Sequence, residues 1–268
     1  MKKEELTHRL CLIAQQAGLE IMSVKQDFDE KEVQSKSDGS PVTVADIAAN
    51  EIICAGIQSL EIGLPIVSEE GLVGDPSESN LCFLVDPLDG TKEFIKGNGM
   101  YTVNIALTRR KKNRRWEPII GVVHAPEQAT TWYGGEGLKA TRQDGESIGY
   151  IQVGSGQDIP IVVGSASHPT YKDKEFRADI GVHKFEAVGS SIKICRVAEG
   201  SADLSPRFGP TSCWDTAAAH AVLKSAGGEL LDPNGMEMDY DLVNDILNPW
   251  FIATYNSKWV DVWLKHQN

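Results

Sequence analysis

The sequence predicts an α/β protein in two lobes, an α+β lobe over residues 1–155 and an α/β lobe over residues 156–268. Three observations predict it. Five consecutive apolar residues, 81–85, read as a strand buried on both faces that ends abruptly in carboxylates. After it, short strands follow one another in hairpins as far as residue 150. From residue 159 onward strands and helices alternate, which argues for a second lobe of α/β type, with Gly154-Ser155-Gly156 as the boundary.

Taken in order, Leu6, Leu10, Ile13, Ala14, Ala17, Ile21 and Val24 recur at three- and four-residue steps, so the chain opens with an amphipathic helix. Residues 27–41 are polar and end in turn chemistry, a loop. Lys36 within it reads as a connector residue or as part of a flap over an anion. Thr43 caps a second helix whose first turn holds Asp46, where the helix dipole favours an acid in any protein. Residues 64–67 form a short strand that gives way to Ser68-Glu69-Glu70-Gly71.

The central stretch follows. Pro87 has no N–H to donate, so the strand is expected to stop there, with Asp86 and Asp89 projecting from its carboxyl end. Gly90 allows a turn or a close ligand approach, and Thr91 is expected to cap a short helix over residues 92–96. Two hard oxygen donors beside a helix start point to Mg²⁺ and a phosphate. The plain reading is a loop whose aspartates only cap and turn. Residues 101–107 and 119–123 pair across a basic tip, residues 109–115, expected to be solvated, with contact to anionic lipid or a partner as the minority reading. Residues 131–133 and 138–141 suggest another hairpin, and Asp144-Gly145 turns into the next strand.

In the second lobe, strands are expected at 161–163, 184–187 and 202–204, with helices near 171–179, from Ser190 and from Trp214. Residues 250–253 and 257–264 add a closing strand and helix. His168 stands alone in its loop. Gly189-Ser190-Ser191-Ile192-Lys193 opens a helix with small residues and a lysine, a phosphate contact or ordinary capping. Asp215, without partners, would be a plain N-terminal cap.

Composition narrows the function. With 38 acidic and 26 basic residues the formal charge is −12, which disfavours polymeric nucleic acid but not a small anion escorted by metal ions. Five scattered cysteines without C-x-x-C spacing read as reduced thiols of a cytosolic protein. The N-terminus carries acids and no apolar core of a signal peptide, and no apolar run is long enough to span a bilayer.

Glu69-Glu70, the hexamer Asp86-Pro87-Leu88-Asp89-Gly90-Thr91 and Trp214-Asp215 together resemble the inositol monophosphatase superfamily of Mg²⁺-dependent, lithium-sensitive phosphatases. Residues 91–95, with residues 35–43, 189–193 and 206–210, are similar to its 3′(2′),5′-bisphosphate nucleotidase branch. The resemblance implies a layered αβαβα sandwich and hydrolysis of 3′-phosphoadenosine 5′-phosphate to AMP and phosphate, in sulfur assimilation. It implies two or three Mg²⁺ ions held by Glu69, Asp86, the Leu88 carbonyl, Asp89 and Asp215. Asp46, Thr91 and Glu69 would orient the attacking water. Gly90, Thr91, His168, Ser190, Lys193 and Arg207 would meet the substrate. A small nucleotide bisphosphate is then the partner, and the location is the cytoplasm or the cytoplasmic face of the inner membrane.

Physics bears on this independently. If Glu69, Asp86, Asp89 and Asp215 converge, each like-charge pair at ~5 Å costs about 3 kcal/mol at an effective dielectric near ~20, and their pairs together approach ~20 kcal/mol. Domains of ordinary stability, roughly 5–15 kcal/mol, do not tolerate that without cations or protonation. An aspartyl-phosphate phosphatase needs its two acids two residues apart, whereas Asp86 and Asp89 are three apart across a proline. Two rival functions share part of the pattern. One keeps the fold and acts on inositol phosphates or fructose 1,6-bisphosphate. The second is a nucleotide-binding regulator without turnover, which would have no need of the Thr91 hydroxyl.

Overall fold

The computed structural model describes residues 1–28, 33–35, 41–154, 157–167 and 170–267. Lys36, His168 and the residues 155–156 expected as the lobe boundary lie outside the described residues.

Helix α1 (Lys3–Asp27) comes first, then the two-residue strands β1 (Gln34–Ser35) and β2 (Pro41–Val42), and helix α2 (Val44–Gln58). Strands β3 (Ile66–Ser68), β4 (Gly71–Val73) and β5 (Leu81–Asp89) lead into the short helix α3 (Thr91–Lys96). Strands β6 (Thr102–Arg110), β7 (Trp116–Ala125), β8 (Thr130–Gly135), β9 (Thr141–Asp144) and β10 (Ser147–Tyr150) complete an eight-stranded sheet in the order β10-β9-β8-β7-β6-β5-β3-β4. The second half alternates as expected: β11 (Ile161–Ser165), α4 (Tyr171–Ile180), β12 (Lys184–Val188), α5 (Ile192–Ala198), β13 (Leu204–Arg207) and α6 (Cys213–Ser225). Strands β14 (Glu229–Leu231) and β15 (Phe251–Thr254) and helix α7 (Ser257–Gln267) close the chain. The five-stranded sheet, in the order β12-β11-β13-β15-β14, is parallel across β12, β11 and β13 and antiparallel beyond.

Packing makes five layers. Helices α1 and α2 cover one face of the large sheet, α5 and α6 fill the space between the sheets, and α4 and α7 cover the far face of the small one. The middle layer approaches the large sheet closely. A Cβ on Gly121 of β7 would lie 2.0 Å from the Ala218 carbonyl oxygen of α6, so only glycine fits there. The alanine-rich run 217–219 with Ala221 is the complementary surface on the helix.

Strand β5 shows how the site is aimed. Cys82 and Leu84 face the middle layer, while Phe83 and Val85 face α1 and α2. The two-residue period sends Asp86 toward the middle layer as well. The strand does not stop at Pro87. It continues to Asp89 through a register shift, Asp86 pairing with Asn104 and Asp89 with Thr102, so three steps on β5 match two on β6. A bulge of this kind leaves one residue without a ladder partner, which accommodates the proline's missing N–H and re-aims the carboxylates.

Three further expectations are corrected. Thr91 is the first residue of α3 rather than its cap; Gly90 takes the cap position in the left-handed region (φ 96°), where glycine has no Cβ penalty. The basic tip is docked rather than solvated. Arg109 pairs with Glu117 and Glu136, and Lys111 and Arg115 pair with Asp239 at 2.9 Å each. Backbone bonds between Trp116 and Tyr240 (2.8 and 2.9 Å) fix it there, leaving Lys112, Asn113 and Arg114 exposed. The strand expected at 202–204 occupies Leu204–Arg207, which places Arg207 on a strand end. No described helix is long and apolar enough to cross a membrane.

Candidate active site

Asp86, at the bulge of β5, Asp89, at its end, and Asp215, in the first turn of α6, bring one carboxylate oxygen each to within 4.8 Å of one another. Glu69, just past β3, joins them, and its backbone N–H donates to Val85 O at 3.1 Å. Its carboxylate acts electrostatically on both Asp86 and Asp215. Each aspartate is oriented by a backbone N–H. Leu88 N donates to Asp86 Oδ1 (3.0 Å), Ser191 N to Asp89 Oδ2 (2.6 Å) and Ser212 N to Asp215 Oδ2 (2.9 Å). The last is half of a capping box on α6, so Asp215 is both a cap and a member of the cluster.

The carboxyls respond to burial and to each other's company by holding protons longer than usual. Burial, then Glu69, Asp89 and Asp215, push Asp86 well above the ordinary carboxylate range. Burial raises Asp89 to about 6, against the pull of Lys193. Burial and Asp89 raise Asp215 to about 7. This cluster fits divalent cations of the hard class: the donors are oxygens, and opposite charge is what would let all the carboxyls ionise together. Glu69, Asp86, Asp89, Asp215 and the neighbouring Leu88 carbonyl are the groups that could hold them.

Beside the cluster, Thr91 Oγ1 donates to Asp46 Oδ1 at 3.1 Å and lies 3.4 Å from Leu88 O. Asp46 Oδ2 is occupied by the Thr43 N–H (2.7 Å) and hydroxyl (2.6 Å). Burial raises Asp46 to about 6 in spite of these bonds. The first turn of α2 therefore does two things at once, capping its own helix and fixing the Thr91 hydroxyl.

The opposite wall is cationic. Lys193 Nζ donates to Ser190 O at 2.6 Å, and burial, then Arg207, lower it to about 8. Ser190 sits in the left-handed region (φ 46°), an arrangement that costs of order 1 kcal/mol without glycine. Arg207 donates from Nη2 to Pro210 O (3.1 Å), while its buried Nε has no hydrogen-bond partner among the described residues. Acids, bases and Gly90, Thr91 and Trp214 line one cavity of about 570 Å³.

Sequence reasoning missed the support of Asp89. Thr102 and Asn104 of β6 approach its Oδ2 at 3.5 and 3.3 Å, and Ser191 Oγ ties Asn104 to Thr102. The signal was there: two polar residues at alternate positions in the apolar first half of the strand, both buried.

The match to known proteins covers the same elements. The inositol monophosphatase family model spans residues 2–258. The curated 3′(2′),5′-bisphosphate nucleotidase CysQ of Escherichia coli is 44% identical over 245 residues, 91% of this chain and 97% of the relative. That of Salmonella typhimurium is 43% identical over 255 residues, 93% and 99% of the two chains. Among solved structures, CysQ from Bacteroides thetaiotaomicron superposes with a TM-score of 0.81 at 36% identity, covering 94% of this chain and 97% of that one. An IMPase from Thermotoga maritima, at 23% identity, has the same fold with a TM-score of 0.79, covering 98% of each chain. With its five layers, its acid cluster and a family match running from the second residue to the start of the C-terminal helix, the chain belongs to the inositol monophosphatase family.

Proposed function

We propose that this chain is a Mg²⁺-dependent 3′(2′),5′-bisphosphate nucleotidase that hydrolyses 3′-phosphoadenosine 5′-phosphate to AMP and phosphate, working in the cytoplasm in sulfur assimilation. One observation carries the substrate reading: a largely buried acid cluster, a half-buried Lys193 and a buried Arg207 line the same cavity. A monophosphate needs only the cluster and its cations. A second, remote phosphate gives Lys193 and Arg207 something to bind, and the unpartnered Nε of Arg207 is a donor suited to it. The relatives named CysQ support the same substrate.

When bound, Mg²⁺ would neutralise the cluster, polarise the phosphoryl oxygens and lower the pKa of water. Glu69, Asp86, Asp89, Asp215 and the Leu88 carbonyl would hold it. The Thr91 hydroxyl, aligned by Asp46, would orient the attacking water, with Glu69 beside it, and Asp46 would take up the proton. The N–H groups of Gly90 and Thr91 would meet the transferred phosphate. Ser190, through its backbone, would hold Lys193 toward the nucleotide.

Phosphate release from 3′-phosphoadenosine 5′-phosphate, inositol 1-phosphate and fructose 1,6-bisphosphate, each with Mg²⁺ and with chelator, tests the reading. The nucleotide should exceed the others in kcat/KM by at least about 100-fold, a difference of roughly 3 kcal/mol in transition-state binding. A preference for inositol 1-phosphate would overturn it.

A further inference from the structure

Asp215 rides on the first turn of α6, and that turn is held from outside the helix. The segment ahead of β15 runs alongside it: Cys213 N donates to Ile246 O (2.8 Å), Asn248 N donates to Thr211 O (2.8 Å), and Ser212 bridges to Leu247. The Asn248 side chain completes the contact. Its Nδ2 lies 2.6 Å from Ser212 O, 3.1 Å from Thr211 Oγ1 and 3.1 Å from Thr216 Oγ1. One amide, with two hydrogens shared among three acceptors, thus spans the residue before the cap, the cap and the helix. Thr216 Oγ1 in turn meets Tyr240 Oη at 3.2 Å, and Tyr240 Oη meets His220 Nδ1 at 3.0 Å, so the anchor is rooted among buried groups.

Ser212 is the link to the site. Its carbonyl accepts from Asn248 Nδ2 and from Asp215 N (3.1 Å). Its N–H, in the preceding peptide whose Thr211 carbonyl takes Asn248 N, holds Asp215 Oδ2. We propose that Asn248 is a positioning residue for Asp215, fixing the peptides on both sides of Ser212 and through them the direction of the carboxylate toward Asp86 and Asp89. This rests on reading the cluster as a cation site. Without a cation the three carboxylates repel, and the cheapest relaxation is for one to swing away. Asp86 and Asp89 sit on a strand paired with β6 at both positions and with β3 up to Val85. Asp215 sits at a helix end, where backbone donors lack intrahelical partners and the turn is easiest to open. The Asn248 clamp opposes that opening, so the cluster is formed before a cation arrives and binding need not reassemble it.

The test uses the full chain freed of metal. Tb³⁺ is titrated without substrate, reading emission sensitised by tryptophan, since Trp214 lines the cavity beside Asp215. The Mg²⁺ concentration for half-maximal phosphate release is measured in parallel. Asn248→Ala should raise both midpoints by about 10- to 100-fold, as loss of an outer support of a metal site does, while KM at saturating Mg²⁺ moves less than about twofold. Asn248→Ser, which keeps one small donor, should fall between, and serves if the alanine variant does not fold. A variant that only loses stability would show a lower active fraction with both midpoints unmoved. Midpoints within about twofold of wild type in a folded variant overturn the role of Asn248. No Tb³⁺ response in the wild-type chain overturns the cation-site reading, and this inference with it.

Discussion

Replacing Asp215 by asparagine should make the metal-free protein more stable while abolishing its activity. Asparagine keeps an oxygen to accept the Ser212 N–H, so the capping box survives and only the charge is lost. Asp215 is raised from 3.8 to about 7, first by burial and then by Asp89. Its folded value therefore lies above its unfolded one, and the native state binds more protons than the unfolded chain between those pH values. Wild-type stability falls as pH climbs through that window and is flat above it. The shift of about three units corresponds to on the order of 4 kcal/mol at pH 8, and to roughly a third of that at pH 5. For a chain of this size that is about 10 °C in Tm. Thermal unfolding in chelator at pH 5 and pH 8 measures it. Added Mg²⁺ should then reverse the order, stabilising wild type more than the variant, because a ligand stabilises only the state that binds it. A variant no more stable than wild type at pH 8 in chelator, or equally stabilised at both pH values, would refute the electrostatic reasoning.

Other perturbations separate the parts of the site. Lys193→Ala and Arg207→Ala should each raise KM for 3′-phosphoadenosine 5′-phosphate by about 10- to 100-fold, equivalent to roughly 1.5–3 kcal/mol of charge-assisted bonding, and barely affect a small phosphomonoester; equal losses on both substrates would remove them from the nucleotide subsite. Thr91→Val should lower kcat by about 10²- to 10⁴-fold with little change in Tm, as loss of a proton-orienting group does. Since Asp46 is held at about 6, kcat/KM should fall as pH drops through that value, and Asp46→Asn should remove the inflection; a wild-type profile flat from pH 5 to 7 would exclude Asp46 as the base. Gly121→Ala would place a methyl 2.0 Å from the Ala218 carbonyl. It should cost at least about 1–3 kcal/mol in urea unfolding and weaken Mg²⁺ activation by displacing α6; unchanged stability would mean the helix yields freely.

Most elements and the strand–helix alternation of the second half are legible in the sequence because both are local: period-two and period-3.6 patterns, Thr43 before α2, a glycine at a tight turn; the five layers follow only from the family resemblance. Asp86 and Asp89 are legible as a pair of carboxylates at a strand's end too, since they stand where an apolar strand runs out. Register is not. The step of three residues against two between β5 and β6 depends on Asn104 and Thr102, which lie well over ten positions downstream, and a one-residue slip would have turned Asp86 away from the middle layer. Thr91 reads as a cap because threonine before a helix usually is one. Its hydroxyl goes instead to Asp46, 45 residues earlier, a partner that only the packing of α2 against β5 brings near. The docking of residues 109–115 is hidden for the same reason, its acids lying at 239 and 241.

Both halves of the chain are needed for the charge pattern, and the middle layer explains why they meet. The large sheet supplies Asp86 and Asp89 from β5 and the approach of Glu69 from β3. Its inner-face polar side chains beside the cluster, Thr102 and Asn104, are neutral and approach Asp89. The balancing cations come from the second half, Lys193 from α5 and Arg207 from β13, and so does the last acid, Asp215. Helix α6 can reach the strand acids only if its backbone comes nearly into contact with the large sheet, and Gly121 against Ala218 is that contact. The site's chemistry therefore depends on a packing feature with no polar atoms of its own to advertise it: an alanine-faced helix seated on a glycine. Larger side chains there would bury more apolar area, yet they would lift Asp215 away from Asp86 and Asp89 and leave a well-packed protein without its carboxylate cluster.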